Sequence, residues 1–196
     1  MGVAERKGRD RADRERRITA AARVIAAREG WTAVTIRRLA EEIEYSQPVL
    51  YSHFENRDAI VAAVAVEGFG ELATTLQAAA QPSADRQMAF YDVAAAYLGF
   101  THDHPALYEA MFTLPTSLRF ATADTKPELR AAFAALAAVV TPSGPDHELA
   151  TETFWAILHG LAVLERTGRI RPGARDARLA LVVDAFSRLD GADRDR

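Results

Sequence analysis

Apolar residues recur along this chain at the spacing of helix faces, and strand-like alternation is nearly absent. Residues 11 to 29 put Ile18, Ala22 and Ile25 on one stripe with arginines elsewhere, and Gly30 follows as a helix-closing residue. Trp31 reads as a plug between helices. A short second helix is predicted with Thr35 as its cap and Ile36, Leu39, Ala40 and Ile43 on its inner face. After Glu44-Tyr45-Ser46 a third helix is predicted from Gln47 to Phe54, with Ser46 or Gln47 as cap. Pro48 falls in its first turn, where the missing N–H breaks no bond. Asn56 caps a long fourth helix whose stripe Val61, Ala65, Gly68, Leu72 and Leu76 runs to about Ala80, before the break Gln81-Pro82-Ser83. Further helices are predicted at about 85–102, 105–113, 127–140, 146–167 and 175–190. Thr113 to Thr125 is the longest predicted loop, and 1–8 and 191–196 are predicted as frayed ends. The expected fold is all-α, with about nine helices.

Composition narrows the class. The 196 residues, 49% hydrophobic and 26% charged, fit one or two ordinary globular domains. Without cysteine there is no disulfide framework and no thiolate metal ligand, which suits a reducing cytoplasm. The first 17 residues carry no apolar segment, and no stretch of about 18 consecutive apolar residues occurs, so neither a secretion signal nor a membrane span is expected. The net charge of −3 conceals an asymmetry: residues 1–57 hold 12 Lys/Arg and 9 Asp/Glu, and the rest hold 12 and 18. A net-positive beginning fits a polyanionic partner, and it fits a solvated helix end as well.

Two short helices about three residues apart, the second opening on a capped turn, make a helix-turn-helix. A helix of about eight residues is roughly 12 Å long, so it can enter the major groove of B-DNA with its first turn nearest the bases. Gln47 has the donor and acceptor that suit an adenine edge, and Val49 can touch a thymine methyl. Tyr51 and His53 come later in the helix, with their polar tips expected toward the phosphates. Thr35, Arg37 and Arg57 stand at helix starts on the same side and would hold the DNA backbone. The alternative is a plain helical hairpin, with Tyr51 filling a core and Gln47 and His53 on the surface.

The run TIRRLAEEIEYSQPVLYSHFENRDAI, residues 35 to 60, resembles the DNA-binding domain of the TetR (tetracycline repressor) family of transcriptional regulators. The resemblance covers residues 11–60 in order and spacing, through the short helix ending in L-Y-x-H-F and the arginine that opens the long helix. It implies that Thr35, Arg37, Ser46, Gln47, Val49, Tyr51, His53 and Arg57 face double-stranded DNA. It also implies two domains, a helix-turn-helix over 9–57 and a helical ligand-binding and dimerisation domain over 58–190. One position departs from the pattern: Glu44 stands where the family usually has glycine. If the turn needs a positive φ, glutamate is strained there by roughly 1 kcal/mol.

The segment FWAILHGLAVLERTGRI, residues 154 to 170, looks like the tryptophan-histidine-glycine signature of one class of TetR C-terminal domains. Phe154, Ile157, Leu158, Leu161 and Leu164 form one stripe of its helix, and Trp155, His159 and Ala162 form another. A helix apolar on two sides needs two partners, its own core and a second subunit, with the final helix of Leu179, Val182, Phe186 and Leu189 joining it. Gly160 in mid-helix suggests a close backbone approach. The alternative is a monomeric bundle. The resemblance further implies a small-molecule effector held among Phe90, Tyr97, Phe100, Tyr108, Met111, Phe112, Phe120, Trp155 and His159, although aromatics at helical spacing also fit a solid core.

His102-Asp103-His104 does not put two imidazoles on one helix face, so no metal site and no cofactor are expected. No nucleophile–base spacing, phosphate loop or acidic pair points to an enzyme using His102, His104 or His159. An interaction adaptor with a degenerate helix-turn-helix is the other alternative, and Glu44 is its one argument.

Overall fold

The computed structural model describes residues 2–80, 86–140 and 147–192. Among them there are nine α-helices and no strand, the expected all-α class. In chain order they are α1 (Val3–Glu29), α2 (Ile36–Glu42), α3 (Gln47–Tyr51), α4 (Arg57–Ala79), α5 (Arg86–Asp103), α6 (Pro105–Phe112), α7 (Pro127–Ala137), α8 (His147–Arg166) and α9 (Arg175–Ala192). A single 3-10 turn, Trp31–Ala33, links α1 to α2. The predicted break at Gln81-Pro82-Ser83 and the side chain of Leu189 lie outside what is described.

The chain forms two compact units. Residues 1–68 and 104–126 make the first, and 69–103 and 127–196 the second, so α4 passes through both. The division at 57 expected above concerns function, whereas compactness groups the start of α4 and all of α6 with the N-terminal helices.

In the first unit, Ile18, Ala22 and Ile25 of α1 are fully buried, as their stripe requires. Trp31 is the plug its position suggests: it is 4% exposed and its Nε1 donates to the Ala106 carbonyl at 2.7 Å. α1 packs on α6 and on α2, and α2 on α3. The helix starts earlier than its apolar stripe, at Val3 rather than near residue 11, which corrects the expectation of a frayed start. Arginine, alanine, lysine and glutamate favour helix there without tertiary support. Glu5 reaches back to the Gly2 N–H at 2.9 Å, and Arg11–Glu15 and Arg16–Asp13 pairs brace the exposed turns.

The glycine that tertiary packing requires is Gly68, not Gly160. A Cβ on Gly68 would lie 2.7 Å from Met111 Sδ and 2.9 Å from Leu107 Cδ1, whereas nothing stands within 4 Å of one on Gly160. α4 is long and apolar enough to cross a membrane by composition, but half of its most apolar stretch is buried. Glu67 within it accepts from Thr19 Oγ1 at 2.7 Å, as a core helix bonded to α1.

In the second unit, α5 packs on α8 and α9, and α7 on α8. Phe90, Phe154 and Phe186 form an aromatic centre, with ring centroids 4.3 to 5.5 Å apart. Glu165 on α8 ties down the start of α9 through Arg175 and Arg178, at 2.8 and 3.1 Å.

Candidate nucleic-acid interface

α2 begins where Thr35 Oγ1 accepts from the Arg38 N–H at 3.1 Å, an N-cap bond that leaves the hydroxyl proton free to donate outward. Leu39 and Ala40 are buried beneath it. The helix ends with Ile43 as C-cap, and the Tyr45 N–H reaches back over the turn to the Ala40 carbonyl at 2.9 Å. This six-to-one closure puts the residue before Tyr45, Glu44, in the left-handed region at φ 55°. The position that wants glycine therefore carries an exposed carboxylate.

α3 is held from below by Leu50, which is fully buried. Pro48 lies in its first turn, as expected. Ser46 is the N-cap by position, but its hydroxyl makes no capping bond, which leaves it exposed at the mouth of the helix. The helix proper stops at Tyr51 rather than Phe54: the N–H groups of His53 and Phe54 both turn to the Leu50 carbonyl, and Ser52 Oγ donates to Val49 O at 2.7 Å. Gln47 is exposed, Tyr51 is 54% exposed and Val49 is half-buried.

The other sequence-predicted residues divide. Arg37 is exposed, its guanidinium bonded to Glu41 at 2.9 Å within α2. His53 departs from the expectation of a tip open toward phosphates. Its side chain is 5% exposed and its Nδ1 lies 3.4 Å from Glu15 Oε1 on α1. The reason is the early end of α3, which turns residues 52–54 back over α1 instead of along a helix axis. Arg57 is likewise committed inward: its Nε donates to Val34 O at 2.8 Å and its second guanidinium nitrogen to Trp31 O at 2.7 Å. Those carbonyls belong to the 3-10 turn and its cap; Trp31 O also accepts from the Val34 N–H at 3.2 Å, and Val34 O takes its donor from Arg57. At the start of α4, Asn56 Oδ1 accepts from Ala59 N at 2.9 Å, the expected cap.

Three residues of the site, Glu15, Arg17 and Tyr45, carried no local signal. Arg17 of α1 sits over the ring of Tyr45, 5.1 Å from its centroid, and Glu15 meets His53. Residues so far apart in sequence are brought together by the packing of α1 against the helix-turn-helix.

The nine aromatic and other side chains expected around an effector are distributed over both units. In the second unit Phe90, Tyr97 and Phe100 are buried and Trp155 and His159 half-buried, with Trp155 Nε1 donating to the Tyr97 hydroxyl at 3.1 Å. In the first, Tyr108 and Met111 are buried, Phe112 is half-buried with its ring tilted against Tyr108 at 4.6 Å between centroids, and Phe120 is exposed. Burial, and then the charge of Arg166, hold the His159 pKa below the usual imidazole value. His102, Asp103 and His104 are all exposed, and no group of three potential metal ligands converges among the described residues.

Comparison with known proteins agrees with this arrangement. Residues 18–64 match the family "Bacterial regulatory proteins, tetR family", and residues 90–186 match "Tetracyclin repressor-like, C-terminal domain". An uncharacterized HTH-type transcriptional regulator of Mycobacterium tuberculosis is 33% identical over 144 residues, covering 72% of this chain and 65% of that protein, just under two thirds of its length. A solved structure of a protein with unknown function from Rhodococcus sp. RHA1 superposes with a TM-score of 0.70 at 23% identity, over 89% of this chain and 93% of that one. A TetR-family regulator from Streptomyces coelicolor gives a TM-score of 0.53 at 26% identity, over 92% and 94%. With a helix-turn-helix whose short second helix stands exposed, and family matches on both halves, this chain belongs to the TetR family of transcriptional regulators.

Proposed function

We propose that this chain is a cytoplasmic homodimeric repressor that binds a palindromic operator in double-stranded DNA and is released by a small-molecule inducer. The observation that carries the DNA reading is the outer side of α3, where Gln47 is exposed and Tyr51 is 54% exposed above a fully buried Leu50. Gln47 reads a base edge, Val49 adds an apolar contact, and Tyr51, Ser46, Thr35 and Arg37 bond phosphates. Arg37 exchanges Glu41 for a phosphate on binding, while Arg57 and His53 act by holding the turn in place. Residues 9–57 form the DNA-binding part and 58–190 the effector and dimer part.

The dimer reading rests on apolar side chains left uncovered on α8 and α9. Leu149, Leu164 and Leu181 are 62%, 37% and 71% exposed, and Ile157, Gly160 and Leu161 are half-exposed between the first two. Two such helices from each subunit make an isologous four-helix contact. The open space over Gly160 lets a partner backbone come close. The inducer acts by preferring the conformation that does not fit DNA, and its differential affinity sets the size of the effect. No catalytic step belongs to this reading.

Selection of DNA from a random pool by the purified full chain tests it. A two-fold-symmetric consensus is expected, Gln47→Ala relaxing preference at one base position of each half-site and Tyr51→Phe weakening binding to all sequences alike. Absence of any preferred sequence at moderate salt supports the adaptor reading in its place.

A further inference from the structure

Residues 5–11, 13 and 14 of α1 are exposed, and their charge pattern continues the core stripe of the same helix. In its C-terminal part the inward positions are Ile18, Ala21, Ala22 and Ile25, all buried. Counting back along that face at helical spacing gives Arg14, Arg11 and Lys7. The stripe changes from apolar to mostly basic without changing face, Glu15 being the acidic residue on it, paired with Arg11. The change falls where α1 leaves the body of the first unit. There Arg17 covers the ring of Tyr45 in the turn before α3, and Glu15 meets His53 just after it. The basic stripe therefore continues past the helix-turn-helix on the side that bears α3, for about 10 Å from Arg14 to Lys7 at 1.5 Å per residue.

The charge balance agrees. Residues 1–17 hold 7 Lys/Arg against 4 Asp/Glu, while residues 18–57 hold 5 of each, so the whole positive excess of the N-terminal part lies on this overhang. Three of its acidic residues are used within the helix: Glu5 on the Gly2 N–H, Asp13 with Arg16 and Glu15 with Arg11. For Lys7 and Arg14 there is no ion pair among the described residues. Arg11 is held by a surface pair of the kind that contributes little and exchanges readily.

We propose that Lys7, Arg11 and Arg14 form a second DNA contact, a phosphate-binding overhang that grips the backbone flanking the groove entered by α3. It rests on the reading of α3 as a DNA-binding helix. The overhang adds affinity and salt dependence and reads no sequence.

The test uses the full chain carrying Lys7→Gln and Arg14→Gln, changes that keep helix propensity. Its probes are the duplex selected by the wild-type protein and a random duplex of equal length. The slope of log affinity against log salt is expected to fall by about 0.9 for each phosphate no longer neutralised, so by about 1.8 for each subunit and about 3.6 for a dimer on both half-sites. Affinity for both duplexes should drop by the same factor, and hydroxyl-radical protection should shrink at the outer flank of each half-site, with the base preference unchanged. Lys7→Arg with Arg14→Lys should retain the wild-type slope, which separates charge from any loss of helix. An unchanged slope and footprint overturn the overhang while leaving the α3 reading intact. If wild-type protein selects no duplex and Gln47→Ala and Tyr51→Phe change nothing, the α3 reading fails and the overhang with it.

Discussion

Glu44 shows how much one backbone angle can decide. Its φ of 55° is forced by the back-reaching Tyr45 N–H, and a β-carbon in that region costs about 1–2 kcal/mol. Glu44→Gly should therefore raise unfolding free energy by about 1 kcal/mol in a denaturant titration, and Glu44→Ala should not. Equal stability of the two variants would show that the turn is unstrained. Arg57 makes the opposite case, a residue whose family role suggests DNA and whose bonds lie on Trp31 O and Val34 O. Its removal leaves the Val34 carbonyl short of a donor and Trp31 O with the Val34 N–H alone, so Arg57→Ala should cost about 1–3 kcal/mol of stability, which a lysine restores poorly because one ammonium cannot fork to both. A full-strength melt of the alanine variant would overturn that role. The exposure of Thr35 and Gln47 was legible in the sequence because polar residues at a helix start have a local signature, and that of Tyr51 because it lies one helical turn past Gln47, on the side away from Leu50. His53 was not, because its burial depends on Glu15 of another helix.

At the scale of elements, the two mid-helix glycines separate. Gly68→Ala gains about 1 kcal/mol of helix propensity but drives a methyl against Leu107 and Met111, both buried, where overpacking costs about 1–3 kcal/mol. A net destabilisation of about 1 kcal/mol is expected in chemical denaturation. Gly160 has space above it, so the alanine there should stabilise an isolated subunit by about 1 kcal/mol. Helix positions in the sequence followed from caps and breakers such as Thr35, Asn56, Pro105 and Pro127. The early start of α1 was missed because it is supported by local propensity and surface pairs rather than by an apolar stripe. Nor could sequence separate Phe90 as a packed ring from Phe90 as a cavity wall. The tilted ring contacts of Phe90 with Phe154 and Phe186, on α8 and α9, are made by tertiary packing alone.

For the molecule as a whole, subunit association is the property to measure. If the outer faces of α8 and α9 meet across a two-fold axis, Leu161→Lys should yield monomers in light scattering and weaken operator binding steeply, and Gly160→Ala should weaken the dimer while stabilising the subunit. Dimers that survive Leu161→Lys unchanged would place the interface elsewhere. The second unit also carries a pH dependence. Because burial and Arg166 lower the His159 pKa, the folded state takes up a proton less readily than the unfolded chain. Stability should hold above the ordinary imidazole value of about 6.5 and decline as pH falls from there toward the lowered pKa. His159→Asn should flatten that decline, and an unaltered pH profile would assign the acid sensitivity to other groups.

Helical periodicity, caps and the spacing of one short motif determined the class, the order of elements and the helix-turn-helix, since each depends on residues within a few turns of one another. The tertiary structure decided which side chains of that motif remain outward. Arg57 and His53 were turned to structural partners, Gly68 to its close neighbours, and Glu44 to a left-handed turn. The basic face of α1 became part of the same site only through Arg17 and Glu15, whose partners Tyr45 and His53 lie far along the chain. Pairings of that kind depend on how helices pack, and helix packing leaves no local pattern to read.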